Sequence, residues 1–186
     1  MRKYRKPYKE RTKLQFTVKF IVDLILVICL AYFIVITFGS RYYVVGNSMN
    51  YTLNPDDVVL IDKAAYEFSS PKRFDVILFE AEGVNAGKTY VKRVIGLPGE
   101  TVQIKDGQIL INGMNLLNDV SVSRILTPGL ASEAITLGED EYFVMGDNRN
   151  NSEDSRFYTI GNIKKDNIIG KPWIRVYPFG SFGFVK

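Results

Sequence analysis

The plan of the chain is set by FIVDLILVICLAYFIVITF, residues 20–38, whose one charged residue is Asp23 near the start. As a helix rising 1.5 Å per residue, this stretch reaches about 28 Å, close to the thickness of a hydrocarbon core. A helix buried in a water-soluble domain carries a polar face over such a length, and this one has none. The stretch therefore predicts a transmembrane helix. Asp23 follows Lys19 by one turn, near enough to the end to reach the interface at moderate cost. Upstream, Arg2, Lys3, Arg5, Lys6, Lys9, Arg11, Lys13 and Lys19 stand against Glu10 alone. By itself such a run is a solvated tail or a nucleic-acid arm. Beside an apolar helix it predicts a cytoplasmic N-terminus, with everything after residue 38 outside. A cleaved secretory signal is the competing reading. The run is longer than the apolar centre of such a signal, and its exit offers only Thr37 and Gly39 as a small-x-small site. The helix is expected to stay as an anchor.

Past residue 41 the pattern changes to short β-type runs divided by turn signals. DVVLIDK (57–63), FDVILFE (74–80) and TYVKRVI (89–95) are rich in β-branched and aromatic residues. TVQIK (101–105) and QILIN (108–112) flank Asp106-Gly107, a tight hairpin signal. Asn112-Gly113 marks another turn. Residues 114–139 are less patterned, contain Pro128-Gly129, and read as an insertion or small subdomain. EYFVM (141–145) and WIRVY (173–177) close the set. There is no internal repeat and no low-complexity segment. The fold class expected is mostly β: an antiparallel β domain, residues 39–186, on a helical anchor at 20–38 with a basic tail at 1–19.

Composition narrows the chemistry. The 186 residues hold no histidine, and the one cysteine, Cys29, lies inside the apolar run. A Ser-His-Asp triad, a Cys-His pair and most zinc sites are thereby excluded, as is an intrachain disulfide framework. No metal and no cofactor are expected. With 46% hydrophobic residues the aqueous part can bury a core.

Three segments stand out. In VVGNSMNYTL (44–53), Ser48 sits beside a glycine-containing turn a few residues beyond the anchor. A lone Gly-x-Ser is usually just a turn. If Ser48 is a nucleophile here, its base must be a residue other than histidine, and the best remaining candidate is a lysine held neutral. YVKRVIGLPGE (90–100) offers Lys92 within a β run. Neighbours on a strand face opposite sides, so if Arg93 faces water then Lys92 faces inward, where burial lowers its pKa. GDNRNNSEDSR (146–156) has the Asp and Asn content of a calcium loop. Yet Arg149 falls where a third-position oxygen ligand is needed, and the glycine at six is missing. Asp147, Arg149, Asp154 and Arg156 form a self-neutralising set suited to a packed loop, from which Ser152 can offer its hydroxyl to a lysine amine.

Together these segments resemble the bacterial type I signal peptidases (leader peptidases), in the short single-anchor form of Gram-positive bacteria. Gly46-Asn47-Ser48-Met49 resembles the nucleophile box and Arg73-Phe74-Asp75-Val76-Ile77 the strand after it. Tyr90 to Glu100 resembles the general-base box, and Gly146-Asp147-Asn148-Arg149 with Ser152, Asp154, Ser155 and Arg156 the last. The resemblance implies that Ser48 attacks the carbonyl after a small residue and Lys92 is the general base. It implies that Ser152 hydrogen-bonds the lysine, while Asp147 and the Asp154–Arg156 pair hold the loop. Gly46 and Met49 are assigned to support of the oxyanion site. Two positions depart from the family pattern. Tyr51 stands where proline is usual, which loosens the turn. Gly46 stands where some members carry an oxyanion-binding serine, which leaves that work to the Ser48 N–H and a neighbouring backbone donor. The expected function is removal of signal peptides from exported preproteins at the outer face of the cytoplasmic membrane. The expected partners are signal peptides and membrane lipid, with no nucleic acid and a monomeric chain. The alternative is a non-catalytic relative that assists assembly of pili or surface proteins.

Overall fold

A computed structural model describes residues 13–121 and 123–185. The basic tail falls mostly outside them. The chain divides into two units between Ile36 and Thr37.

The first unit is helical. Helix α1, Lys13–Phe38, begins ahead of the apolar run and contains one stretch, Gln15–Thr37, long and apolar enough to cross a membrane. Phe20, Leu26, Ile28, Phe33 and Val35 are all exposed on it, on every side of the helix. An all-round apolar surface is what a lipid-facing span presents.

The second unit is β throughout, with single 3₁₀ turns as its only helical pieces among the described residues. Its strands are β1 (Ser40–Tyr43), β2 (Val58–Asp62), β3 (Val76–Glu80), β4 (Thr89–Gly96), β5 (Thr101–Lys105) and β6 (Gln108–Ile111), followed by β7 (Met114–Asn115), β8 (Ile135–Thr136), β9 (Glu141–Met145), β10 (Ile163–Lys164), β11 (Ile168–Tyr177) and β12 (Gly183–Phe184). Among the described residues they form two antiparallel sheets. The larger runs β1-β2-β11-β3-β4-β9-β10, with β12 on β11; the smaller runs β7-β6-β5-β8. The stretch 114–139 thus supplies both edge strands of the second sheet. The hairpin between β5 and β6 turns on Asp106 and Gly107, both at positive φ (53° and 76°), as a tight two-residue loop requires.

Strand β4 positions the site. It pairs with β3 in the register Leu78↔Val91, Ile77↔Lys92, Val76↔Arg93, and with β9 from Arg93↔Met145 onward. Tyr90, Lys92 and Val94 therefore share one face, and Val91, Arg93 and Ile95 the other. Both faces are covered. Ile77, Phe79, Val94, Val144 and Ile160 pack in one cluster; Met49, Leu53, Val59, Val76, Leu78 and Val91 form another, and Ile95 joins a third with Val102, Phe143 and Met145. A fully buried Phe79 or Phe143 contributes about 1.5–3 kcal/mol of transfer free energy. The expectation that Arg93 faces water is corrected here: only 1% of Arg93 is exposed and 3% of Lys92. A central strand with core clusters against both faces leaves neither cation free in solvent, so each needs its own local answer.

Candidate active site

Ser48 stands in a tight turn. The Asn50 N–H donates to the Asn47 carbonyl, and the Thr52 and Leu53 N–H groups both donate to that of Met49. Gly46 opens the turn at φ 78°, a conformation that favours glycine. Met49, 1% exposed, anchors it in the core. The turn is also tied to residues 146–156: the Asn148 N–H donates to the Ser48 carbonyl (3.0 Å) and its side-chain amide to the Asn47 carbonyl (3.1 Å). Thr52 Oγ1 donates to Asp147 Oδ2 at 2.5 Å. With Tyr51 in place of proline, the turn is held by these bonds.

Lys92 reaches the same point from β4. Its Nζ lies 2.5 Å from Ser48 Oγ and donates to it, across 44 positions of sequence. Burial lowers the Lys92 pKa from the ordinary lysine value of 10.5 to about 8. Asp154, Glu153 and Asp147 pull it back up, and Arg156 pushes it down. Desolvation wins. An amine with this pKa is about one-tenth neutral at pH 7 and half neutral near pH 8, against well under a thousandth for an ordinary lysine at pH 7, and a base must be neutral. Among the described residues the Ser48 N–H donates to no acceptor, which leaves it available to an oxyanion.

The loop around them is held by buried ion pairs. Arg93 grips Asp147 through Nε and Nη2, each at 2.7 Å, and also donates to the Phe74 carbonyl and Thr52 Oγ1. Asp154 pairs with Arg156 (2.7 and 2.9 Å) and accepts from the Gly146 N–H. Arg149 does not close the set within the loop. It forks onto Asp119, 2.5 Å at both oxygens, and so ties the loop to the segment before β8. Ser155 Oγ accepts from the Val144 N–H on β9. Four of these groups, Arg93, Asp147, Asp154 and Arg156, are at most 1% exposed. Charges so deep persist only when paired.

One expected contact is not formed. Ser152 Oγ, buried, has no hydrogen-bond partner among the described residues, and the Lys92 amine is directed to Ser48 instead. The serine sits against Gly146: a Cβ built there would come 2.3 Å from Ser152 Oγ and 2.4 Å from the Ser48 carbonyl. Sequence reasoning also missed Arg93 and Thr52 as members of the network. The signal for Arg93 was present, since an arginine amid Val91, Val94 and Ile95 on a central strand requires a buried acid.

Ser48 and Lys92 open into a cleft of about 500 Å³ between residues 42–49 and 87–92, closed at one end by Asn151 and Glu153. A larger hollow of about 660 Å³ borders β6 but holds neither Ser48 nor Lys92. The smaller cleft is the one with a reactive hydroxyl and a perturbed amine, and chemistry outranks size. Among the described residues there is no group of three or more acidic or cysteine side chains able to hold a metal ion.

Comparison with known proteins agrees. Residues 17–177 match the family model described as signal peptidase, peptidase S26. The signal peptidase I of Leptolyngbya laminosa is 37% identical over 147 residues, 76% of this chain and 70% of that protein. A probable signal peptidase I of Synechocystis is 33% identical over 176 residues, 88% of this chain and 85% of its own length. Signal peptidase I V of Bacillus subtilis is 37% identical over 140 residues, covering 69% and 80%. A family match spanning most of the chain, a β fold with one apolar helix, and a serine in contact with a buried lysine lead to one assignment: the chain belongs to the signal peptidase family S26.

Proposed function

We propose that this chain removes signal peptides from exported preproteins through a Ser48–Lys92 dyad. The observation that carries the reading is the 2.5 Å contact between Lys92 Nζ and Ser48 Oγ with the amine buried. Once neutral, Nζ accepts the hydroxyl proton as Oγ attacks the scissile carbonyl. The tetrahedral oxyanion is met by the Ser48 N–H, with Gly46 and Met49 fixing the turn that presents it. The Lys92 ammonium then protonates the leaving amine, and the acyl-enzyme forms. Water, deprotonated by Lys92, attacks the ester carbonyl; the released signal peptide leaves and Ser48 regains its proton. Asp147 and the Asp154–Arg156 pair hold the loop against the nucleophile turn, and Ser152 is its polar neighbour.

The substrates proposed carry small residues one and three positions before the cut. The domain plan is a cytoplasmic tail at 1–19, an anchor at 20–38 in lipid and an extracytoplasmic domain at 39–186, working as a monomer. The basic residues before α1 support this orientation. The deciding experiment incubates the full chain and Ser48→Ala with a preprotein in detergent. Processing by the parent and none by the folded variant is expected. Near-normal processing by Ser48→Ala would discard the dyad. Protease added to intact spheroplasts should digest residues 39–186; protection until lysis would reverse the orientation.

A further inference from the structure

We propose that Glu153 is a specificity-determining residue of the Ser48–Lys92 cleft, favouring substrates with a basic side chain close to the scissile bond. The inference rests on the proposed function, since it needs the substrate in this cleft. Among the residues that line the cleft, Glu153 is the one carboxylate; the other charged residues are Lys88 and Lys92. The acids on either side of the loop are neutralised, Asp147 by Arg93 and Asp154 by Arg156. Glu153 has no such cation. Its Oε1 accepts from Thr159 Oγ1 at 2.6 Å, and Oε2 is left without a partner among the described residues. The carboxylate is thus oriented before a substrate arrives, which lowers the entropy lost in pairing. Its backbone is equally fixed, because Asp154 beside it is fully buried and bound to Arg156 and Gly146.

This group contributes to the charge near the reacting atoms. Its field reaches the buried amine, raising the Lys92 pKa against the larger effect of burial. When Lys92 is neutral and reactive, Glu153 is the one negative charge among the lining residues. Lys88 stands just before β4, and its ammonium donates to Asn85 Oδ1 at 2.8 Å. A bound peptide with lysine or arginine near the cut gains a partner in Glu153, whereas one with an acid meets repulsion. Because the carboxylate stands at an exposed rim, the discrimination is modest, roughly fivefold between lysine and glutamate at one position.

The experiment uses the full chain in detergent micelles and peptide substrates that differ only in carrying lysine, glutamine or glutamate at one position, scanned on both sides of the bond. Each enzyme's kcat/KM is normalised to its glutamine substrate. The parent should prefer lysine over glutamate at one or more positions, and the preference should shrink as ionic strength rises. Glu153→Gln should remove it, Glu153→Lys should invert it, and Glu133→Gln, an exposed acid outside the cleft, should keep it. A purely structural role for Glu153 would alter all three substrates alike and show no salt dependence. A lysine-to-glutamate ratio unchanged by both Glu153 substitutions at every position overturns the inference alone. If the parent cuts none of the peptides and no preprotein, the proposed function fails and takes this inference with it.

Discussion

Arg93 and Asp147 form a two-pronged ion pair, 2.7 Å at each contact, on the face of β4 opposite Lys92. The residue next to the proposed base is therefore the clamp that fixes residues 146–156 to the sheet. Arg93→Met, which a solvent-facing side chain would tolerate, is expected to leave Asp147 buried and uncompensated, costing about 3–5 kcal/mol. Chemical denaturation measures it. The double variant Arg93→Met/Asp147→Leu should recover part of that loss, because no orphaned charge remains. A single variant as stable as the parent would show that the pair contributes little.

Lys92 carries a cost that is visible in pH. Its folded pKa, about 8, lies below the ordinary 10.5, so the unfolded chain binds the proton more tightly. The penalty is fully present below about pH 8 and fades as pH rises towards 10.5, with stability rising across that window. At neutral pH it amounts to about 3 kcal/mol. Lys92→Met should thus be inactive yet at least as stable as the parent at pH 7, and the activity of the parent should climb through about pH 8 as the amine deprotonates. A folded Lys92→Met enzyme that still cleaves would send the search for the base elsewhere.

Gly146 is fixed by contact, not by backbone angle. A methyl group there must displace both Ser152 Oγ and the Ser48 carbonyl. Gly146→Ala is expected to lower kcat/KM by roughly 10²-fold through misplacement of the proposed nucleophile, Ser48, with the circular dichroism of the β domain retained. Activity within a few-fold of the parent would mean that the loop yields without moving Ser48.

Tyr51 has φ of 90° and is exposed. No packing recovers the cost of that backbone in a bulky residue. Tyr51→Gly should raise the midpoint of urea unfolding, by about 1 kcal/mol in free energy. Tyr51→Pro restores the residue usual in the family but forces φ to about −65°, so it should destabilise this turn. A stabilised proline variant would mean that the turn adopts the other backbone conformation at little cost.

How much of this was legible in the residues themselves follows from what is local. Residues 20–38 announce an anchor because length and unbroken apolarity are properties of one segment, and Asp106-Gly107 announces its hairpin because two successive positive φ angles need those residue types. Strands at 74–80, 89–95, 101–105 and 108–112 follow likewise from side-chain shape, and Ser48 and Lys92 stood out once histidine and a usable cysteine were absent. What covers a strand is not local. The period of two separates Lys92 from Arg93 but is silent on whether the far side is water or a second cluster, and here it is core. Nor could composition say which acid each arginine takes. Asp147 lies 54 positions from Arg93, Asp119 lies 30 from Arg149, and only the pairing of β4 with β9 brings the first two together. The same holds for β11, which extends back to Ile168 from the expected 173–177 because β2 and β3 flank it and satisfy its backbone. The sequence alone determined which groups could do the chemistry. The burial that lowers the lysine pKa was decided by the packing of strands distant in the chain.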